Sequence, residues 1–155
     1  MITDAEALAL CAFQEANLEP DDGVAAVVRV ILNRAALHYQ SDGTIQSAVF
    51  HPAAFSWTQY EMVDGHYIKV AFNSADIAER AADLLSRAKA YNRAWARVTD
   101  IAERVVAGAY AGADYDRLTP QTVLYVNPAI SHPAWALADK LVCVIGRHWF
   151  YRAYV

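Results

Sequence analysis

Apolar positions recur at helical spacing from the start of the chain. Leu8, Cys11, Ala12 and Glu15 fall at i, i+3, i+4 and i+7, one face of a helix. "TDAE" at residues 3–6 supplies a capping box, with Thr3 as N-cap and Glu6 reaching back to it. "NLEPDDG" breaks this helix. Asp21 or Asp22 then caps a second, "VAAVVRVILNRAAL", whose Val24, Val27, Val28, Ile31 and Ala35 form a wide apolar stripe. A helix apolar on so much of its circumference belongs at the centre of a fold.

Residues 39–73 lose that periodicity. Turn formers and aromatics in "SDGT", "HPAAFSW" and "VDGHY" predict loops. "FSWTQYEM" and "HYIKVAF" pair as a hairpin across Asp64-Gly65. Residues 74–108 return to helix, with strong helix formers, no proline, and Gly108 as the stop. This stretch reads as one helix or as two that part at "YNRAW". The last part alternates loops with extended pieces, "TVLYVNP", "ALADKLVCVIG" and "HWFYRAYV". There is no repeat, low-complexity run or linker. The pattern predicts an α+β, mainly α fold with a small β-hairpin insertion.

Composition narrows the function classes. At 155 residues, 56% apolar and 19% charged, the chain reads as one globular domain over residues 1–155, with a core that needs no staples. A net charge of −4 without a Lys/Arg-rich run argues against nucleic acid as partner. No apolar run approaches the ~20 residues that cross a bilayer, so no membrane insertion is expected. The start, "MITDAEALAL", has no basic region or cleavage pattern of a signal peptide. The expected place of synthesis is therefore the cytoplasm. Cys11 and Cys143 have no metal-binding spacing and read as small buried hydrophobes, although a disulfide is open to them. Nine Tyr and four Trp are a large stock of flat, amphipathic surface.

Glu15 is the residue out of place. It continues the face of Leu8, Cys11 and Ala12, so its carboxylate points inward or into a cleft. Desolvation raises a carboxyl pKa, and the negative end of a helix dipole acts in the same direction. An acid that stays protonated near neutrality can act as a general acid. The other reading is a frayed helix end with Glu15 in water. Glycoside cleavage usually needs a second carboxylate. Glu19, Glu61 and Asp64 are the candidates, and no spacing singles one out.

These residues also carry a family likeness. "ALALCAFQEANLEPDDGVAAVVRVILNRA" resembles the opening of the SleB-type cell wall hydrolases: Glu15-Ala16 matches the catalytic step, Glu19-Pro20 and Gly23 the loop after it, and Asn33-Arg34 the end of the second helix. "HPAAFSW", "TVLYVNPAISHPAW" and "IGRHWFY" are similar to later elements of that family. The resemblance implies a lysozyme-like fold and cleavage of the MurNAc-β-1,4-GlcNAc bond of peptidoglycan glycan strands, with Glu15 as the catalytic residue. Lytic transglycosylases of this fold manage with one acid. Gln14 and Asn17 depart from the family's usual Gly and Arg, and Leu124 and Val126 stand where polar His is frequent.

The substrate-binding set is Glu19, Asn33, Phe55, Ser56, Trp57 and Tyr125. Ser56, Trp57 and Tyr125 are candidates for a sugar-facing wall, with a core plug as the other reading of Trp57. Asn33 is a candidate to bond across to the Glu15 loop, or a helix-end cap. His148, between apolar neighbours, reads as a satisfied core histidine. His38, His51, His66, His132 and His148 show no HExxH or paired spacing, so neither a metal nor another cofactor is expected. The picture is a monomeric, endolysin-like transglycosylase that reaches a periplasmic wall by a lesion made by another protein. Its rivals are a zinc amidase and a non-catalytic murein-binding module.

Overall fold

The computed structural model describes residues 2–153. Met1 lies outside the described residues, as do the last two residues of the "HWFYRAYV" piece. The fold is α+β and mainly α.

Helix α1 spans Asp4–Ala16 and opens with the expected capping box. Thr3 Oγ1 accepts the Glu6 N–H at 3.1 Å, and the Thr3 N–H donates to Glu6 Oε1 at 3.1 Å. Helix α2 spans Asp21–Leu37, and its N-cap is Pro20 rather than Asp21 or Asp22. Proline's fixed φ suits the entry to a helix. Both aspartates instead fall in the first turn, where the helix dipole favours negative charge. Asp22 is also occupied elsewhere: its carboxylate accepts from the Tyr110 hydroxyl and from the N–H groups of Asp114 and Tyr115.

The breadth of the α2 stripe has a structural cause. Val24, Val27, Val28 and Ile31 pack with α1 and the other helices. Ala26 and Val30 pack on the other side against Cys143, Ile145 and Phe150 of a sheet. Both cysteines are buried and free.

A short helix, α3 (Ile45–Phe50), stands where loop was expected. Thr44 caps it by accepting the Ser47 N–H, so the "SDGT" turn is also a helix start. The hairpin forms as expected, with β1 (Tyr60–Val63) antiparallel to β2 (His66–Lys69). Asp64 and Gly65, with φ of 49° and 79°, make the tight turn that matches strand twist. The first strand starts later than Phe55, because residues Ser56–Thr58 coil into a 3-10 turn. Arg80 holds that turn by donating to the carbonyls of Trp57 and Tyr60.

The long helical stretch is two helices, α4 (Ser74–Lys89) and α5 (Asn92–Val106). They part at Tyr91, within "YNRAW". Tyr91 and Trp95 then both lie against Phe13 of α1, with ring centroids 6.0 and 5.9 Å away. Gly108, at φ 70°, ends α5 as expected. The extended pieces of the C-terminal part assemble into a sheet that the sequence reading did not anticipate. Strands β3 (Thr122–Val126), β4 (Leu141–Ile145) and β5 (His148–Arg152) are antiparallel in the order β3-β5-β4.

Asn33 joins α2 to this sheet. It is buried, and its Nδ2 donates to the carbonyls of Thr119 and Thr122 at 3.0 and 2.9 Å. It therefore does not reach the Glu15 loop. It prolongs the Ala26–Val30 face of α2, which is turned to the sheet. Asn33→Ala removes one donor from each carbonyl, of which Thr119 keeps the Thr122 N–H, and should destabilise the protein by about 1–3 kcal/mol. Urea unfolding checks this, and a midpoint equal to wild type refutes the role.

Candidate active site

Glu15 lies in the last turn of α1 and is half-buried. Its Oε1 accepts a hydrogen bond of 2.7 Å from the hydroxyl of Tyr125 on β3. The expected inward orientation is thus observed, and the alternative of a frayed, solvated end is not. Burial pushes the Glu15 carboxyl above its ordinary range. The Tyr125 hydrogen bond and the positive charge of Arg34 oppose that rise, and burial outweighs them. Tyr125 is pushed well above its ordinary range, by burial first and then by Glu15. It therefore remains a phenol that donates to the acid.

Arg34 supplies the charge beneath the site. It is only 4% exposed. Its Nε donates to the Val123 carbonyl at 2.7 Å, and its guanidinium lies over the Phe55 ring, 5.2 Å from the centroid. Its Nη1 is buried without a hydrogen-bond partner among the described residues. Burying a guanidinium is costly unless charge or hydrogen bonds compensate. Arg34 also opposes the rise of the Cys11 thiol, which burial, and next Glu15, push well above its usual range.

The other predicted residues divide. Phe55 and Trp57 are 4% and 8% exposed, so neither offers a ring face to solvent. Trp57 packs edge-on to Phe50 with centroids 6.2 Å apart, in the position of a core plug. Its indole N–H is buried and makes no hydrogen bond, although the Cys11 thiol is close enough to feel it. Ser56, between them, is exposed. Tyr125 belongs to the site through its hydroxyl on Glu15, not as an open wall. Glu61 and Asp64 lie on the hairpin, and no hydrogen bond or ion pair ties them to Glu15.

Glu19 is neither solvated nor a cap. It is 6% exposed, and its carboxylate is turned to the β4–β5 turn. Oε1 accepts the Arg147 N–H at 3.2 Å, and Oε2 lies 3.5 Å from Arg147 Nε. Glu19 Oε1 is also 3.5 Å from Nδ1 of His148. That nitrogen is buried and lacks a hydrogen-bond partner among the described residues, so His148 is not the satisfied core histidine expected. Its ring stands edge-on to Tyr125 with centroids 5.0 Å apart. Burial holds the imidazole below its ordinary pKa, against the pull of Glu19.

Among the described residues, no three His, Cys, Asp or Glu side chains gather to hold a metal. Concavities of about 430 Å³ lie between α1 and α5, beside Leu8 and Trp95, and next to Arg29 and Tyr115. Glu15 lines neither.

Arg34 and His148 carried no functional assignment in the sequence. The signal for Arg34 was the one that marked Glu15, a charge continuing an apolar stripe, here Val27 and Ile31. His148 had no local signal, because its partners come from α1's exit loop and from β3.

A family model described as cell wall hydrolase matches residues 18–151. The chain belongs to the cell wall hydrolase family. It is therefore an enzyme that acts on the cell wall, and its general activity is degradation of peptidoglycan. The match takes in Glu19, Asn33, Phe55, Ser56, Trp57 and Tyr125, and starts beyond Glu15. No curated protein and no solved structure matches the chain.

The raised Glu15 pKa has a consequence for stability. A carboxyl with a raised folded-state pKa favours the fold while protonated, and that contribution is lost as pH rises through the folded value. Glu15→Gln keeps an oxygen for Tyr125 and cannot ionise. It should raise Tm near pH 7 by roughly 2–4 °C, the effect of about 1 kcal/mol in a domain of this size. Near pH 4 the gain should vanish. Melting curves at the two pH values decide, and an equal effect at both would show that burial is not what perturbs Glu15.

Proposed function

We propose that this cell wall hydrolase is a glycosidase that cleaves the MurNAc-β-1,4-GlcNAc bond, and specifically a lytic transglycosylase. The observation that carries the reading is the half-buried Glu15, held by Tyr125 above a buried Arg34. Such an acid can be protonated when substrate arrives and stabilised once its proton has left.

Glu15 donates its proton to the bridging oxygen as the C1–O bond of the muramyl unit breaks. The carboxylate left behind keeps the Tyr125 hydrogen bond and feels the Arg34 charge. It then takes the proton of the C6 hydroxyl of that same muramyl unit as O6 bonds to C1. The products are a 1,6-anhydro muramyl end and a free GlcNAc end, and Glu15 is again protonated. No water is consumed and no second carboxylate acts. The Glu19 carboxylate fits that economy, since the Arg147 N–H and side chain already occupy it. The fold we assign to this activity is lysozyme-like.

The partner in this reading is the glycan strand, bound by a monomer, without nucleic acid. None of the described helices is long and apolar enough to cross a membrane. We place the enzyme as an endolysin, made in the host cytoplasm and released to the periplasmic wall.

Digestion of purified sacculi tests the reading. Wild type should release anhydro-muropeptides identifiable by mass spectrometry, and Glu15→Gln should release them on the order of 10²–10⁴ times more slowly. The wild-type rate should fall as pH rises through the raised Glu15 pKa, because the acid must begin protonated. Reducing MurNAc ends would make the enzyme a muramidase, and free stem peptides an amidase. Undiminished release by Glu15→Gln would remove Glu15 from the mechanism.

A further inference from the structure

Glu15 and Glu19 lie four residues apart, both away from open solvent, and only Glu15 meets Tyr125. Glu19 closes on the β4–β5 turn. Three residues, Gly146, Arg147 and His148, converge there. The Arg147 N–H and Nε reach the Glu19 carboxylate at 3.2 and 3.5 Å. His148 Nδ1 faces it at 3.5 Å. Gly146, at φ 57°, brings the turn so close that an added Cβ would lie 3.0 Å from Glu19 Oε2 and 3.1 Å from Pro20 Cδ. A side chain there would be strained by its backbone and would push on the Glu19 carboxylate.

What the turn carries matters for Glu15. His148 is the first residue of β5, and β5 pairs with β3 through Tyr125↔Phe150 and Val126↔Trp149. The His148 ring thus stands between the Glu19 carboxylate on one side and the Tyr125 ring on the other. The buried Nδ1 faces Glu19 Oε1 at 3.5 Å without a hydrogen bond, so the contact is one of proximity and charge. The loop also has its own anchor, since Arg97 donates to the Glu19 and Asn17 carbonyls and pairs with Asp21. The Glu19 carboxylate is therefore presented by a fixed backbone.

We propose that Glu19 and His148 are positioning residues for Glu15: they latch the β4–β5 turn onto the α1–α2 loop and so hold the Tyr125 hydroxyl on the acid. Glu19 is then not the second catalytic carboxylate. Its influence on Glu15 passes through a histidine ring and a tyrosine. The proposal rests on the reading of Glu15 as the general acid, but it makes a claim about Glu15 that can be read without any substrate.

The sign of the effect separates the latch from plain electrostatics. Tyr125's hydrogen bond lowers the Glu15 pKa. Unlatching Tyr125 should therefore raise it. Direct repulsion between two carboxylates has the opposite consequence, because deleting the Glu19 charge would lower the Glu15 pKa.

The test is carbon-13 NMR titration of Glu15 in the whole chain, with labelled glutamate side chains and the signal assigned by its loss in Glu15→Gln. Glu19→Ala should move the Glu15 titration to higher pH, and Tyr125→Phe should do the same. The double variant should move it no further than Tyr125→Phe alone, since both act through one hydrogen bond. Glu19→Gln, which keeps an acceptor for the Arg147 N–H, should restore part of the wild-type value. If Glu19→Ala does not fold, His148→Phe keeps the ring beside Tyr125, lacks Nδ1, and should shift the titration the same way. An unmoved or lowered Glu15 pKa in the variant that folds overturns the latch, whatever happens to Tm. Sacculi digested with the same proteins keep the two ideas apart. The expected NMR shifts without cleavage by wild type would leave the latch and remove the glycosidase. Cleavage that depends on Glu15, with no NMR shift, would do the reverse.

Discussion

The hydroxyl of Tyr125 and the carboxyl of Glu15 meet at 2.7 Å across a separation of 110 residues. That contact joins the end of α1 to β3, and the chemistry assigned to this chain depends on it. A buried carboxylate loses hydration worth several kcal/mol, whereas a hydrogen bond to a charged group returns about 1.5–3 kcal/mol. The balance leaves the acid with a raised proton affinity, but one that Tyr125 and Arg34 limit. Burial and these two groups thus act on the same proton in opposite senses.

Helix α2 makes the contact possible. Its Val27 and Ile31 side faces the helices, and its Ala26 and Val30 side faces the sheet. The last turns continue both sides with polar groups. Asn33 fastens the entry of β3, and Arg34 reaches the Val123 carbonyl in the same strand. Tyr125 is two residues further on. The strand is thus pinned immediately upstream of the residue that bonds to Glu15. A rigid element presenting the hydroxyl limits the reorganisation needed when the acid changes charge.

The two acids near the first helix show how context divides one residue type. Glu15 sits beside a phenol and at a distance from direct ion pairs, so burial dominates. Glu19 sits against Arg147 and His148 and accepts the Arg147 N–H. One is governed by burial and a phenol, the other by its contacts to a turn. The aromatic "HPAAFSW" element shows a similar division. Phe55 and Trp57 are buried in the core and Ser56 is left outside, because the chain coils there instead of extending.

Much of this was determined by the sequence itself, wherever the cause is local. The Thr3–Glu6 capping box, the Asp64-Gly65 hairpin turn, the Gly108 stop and the weak point at "YNRAW" each need only a few adjacent residues, and each appears in the fold. The inward face of Glu15 follows from helical periodicity alone. What only the tertiary structure decided has partners far apart in the chain. The sheet order β3-β5-β4, the sheet face of Asn33, the Tyr125 hydroxyl on Glu15, and the docking of Glu19 on the β4–β5 turn belong here. A pattern of apolar positions states that a side is buried but not against what. The identity of the partner is settled by packing, since close-packed interiors admit few arrangements and buried polar groups must find donors and acceptors.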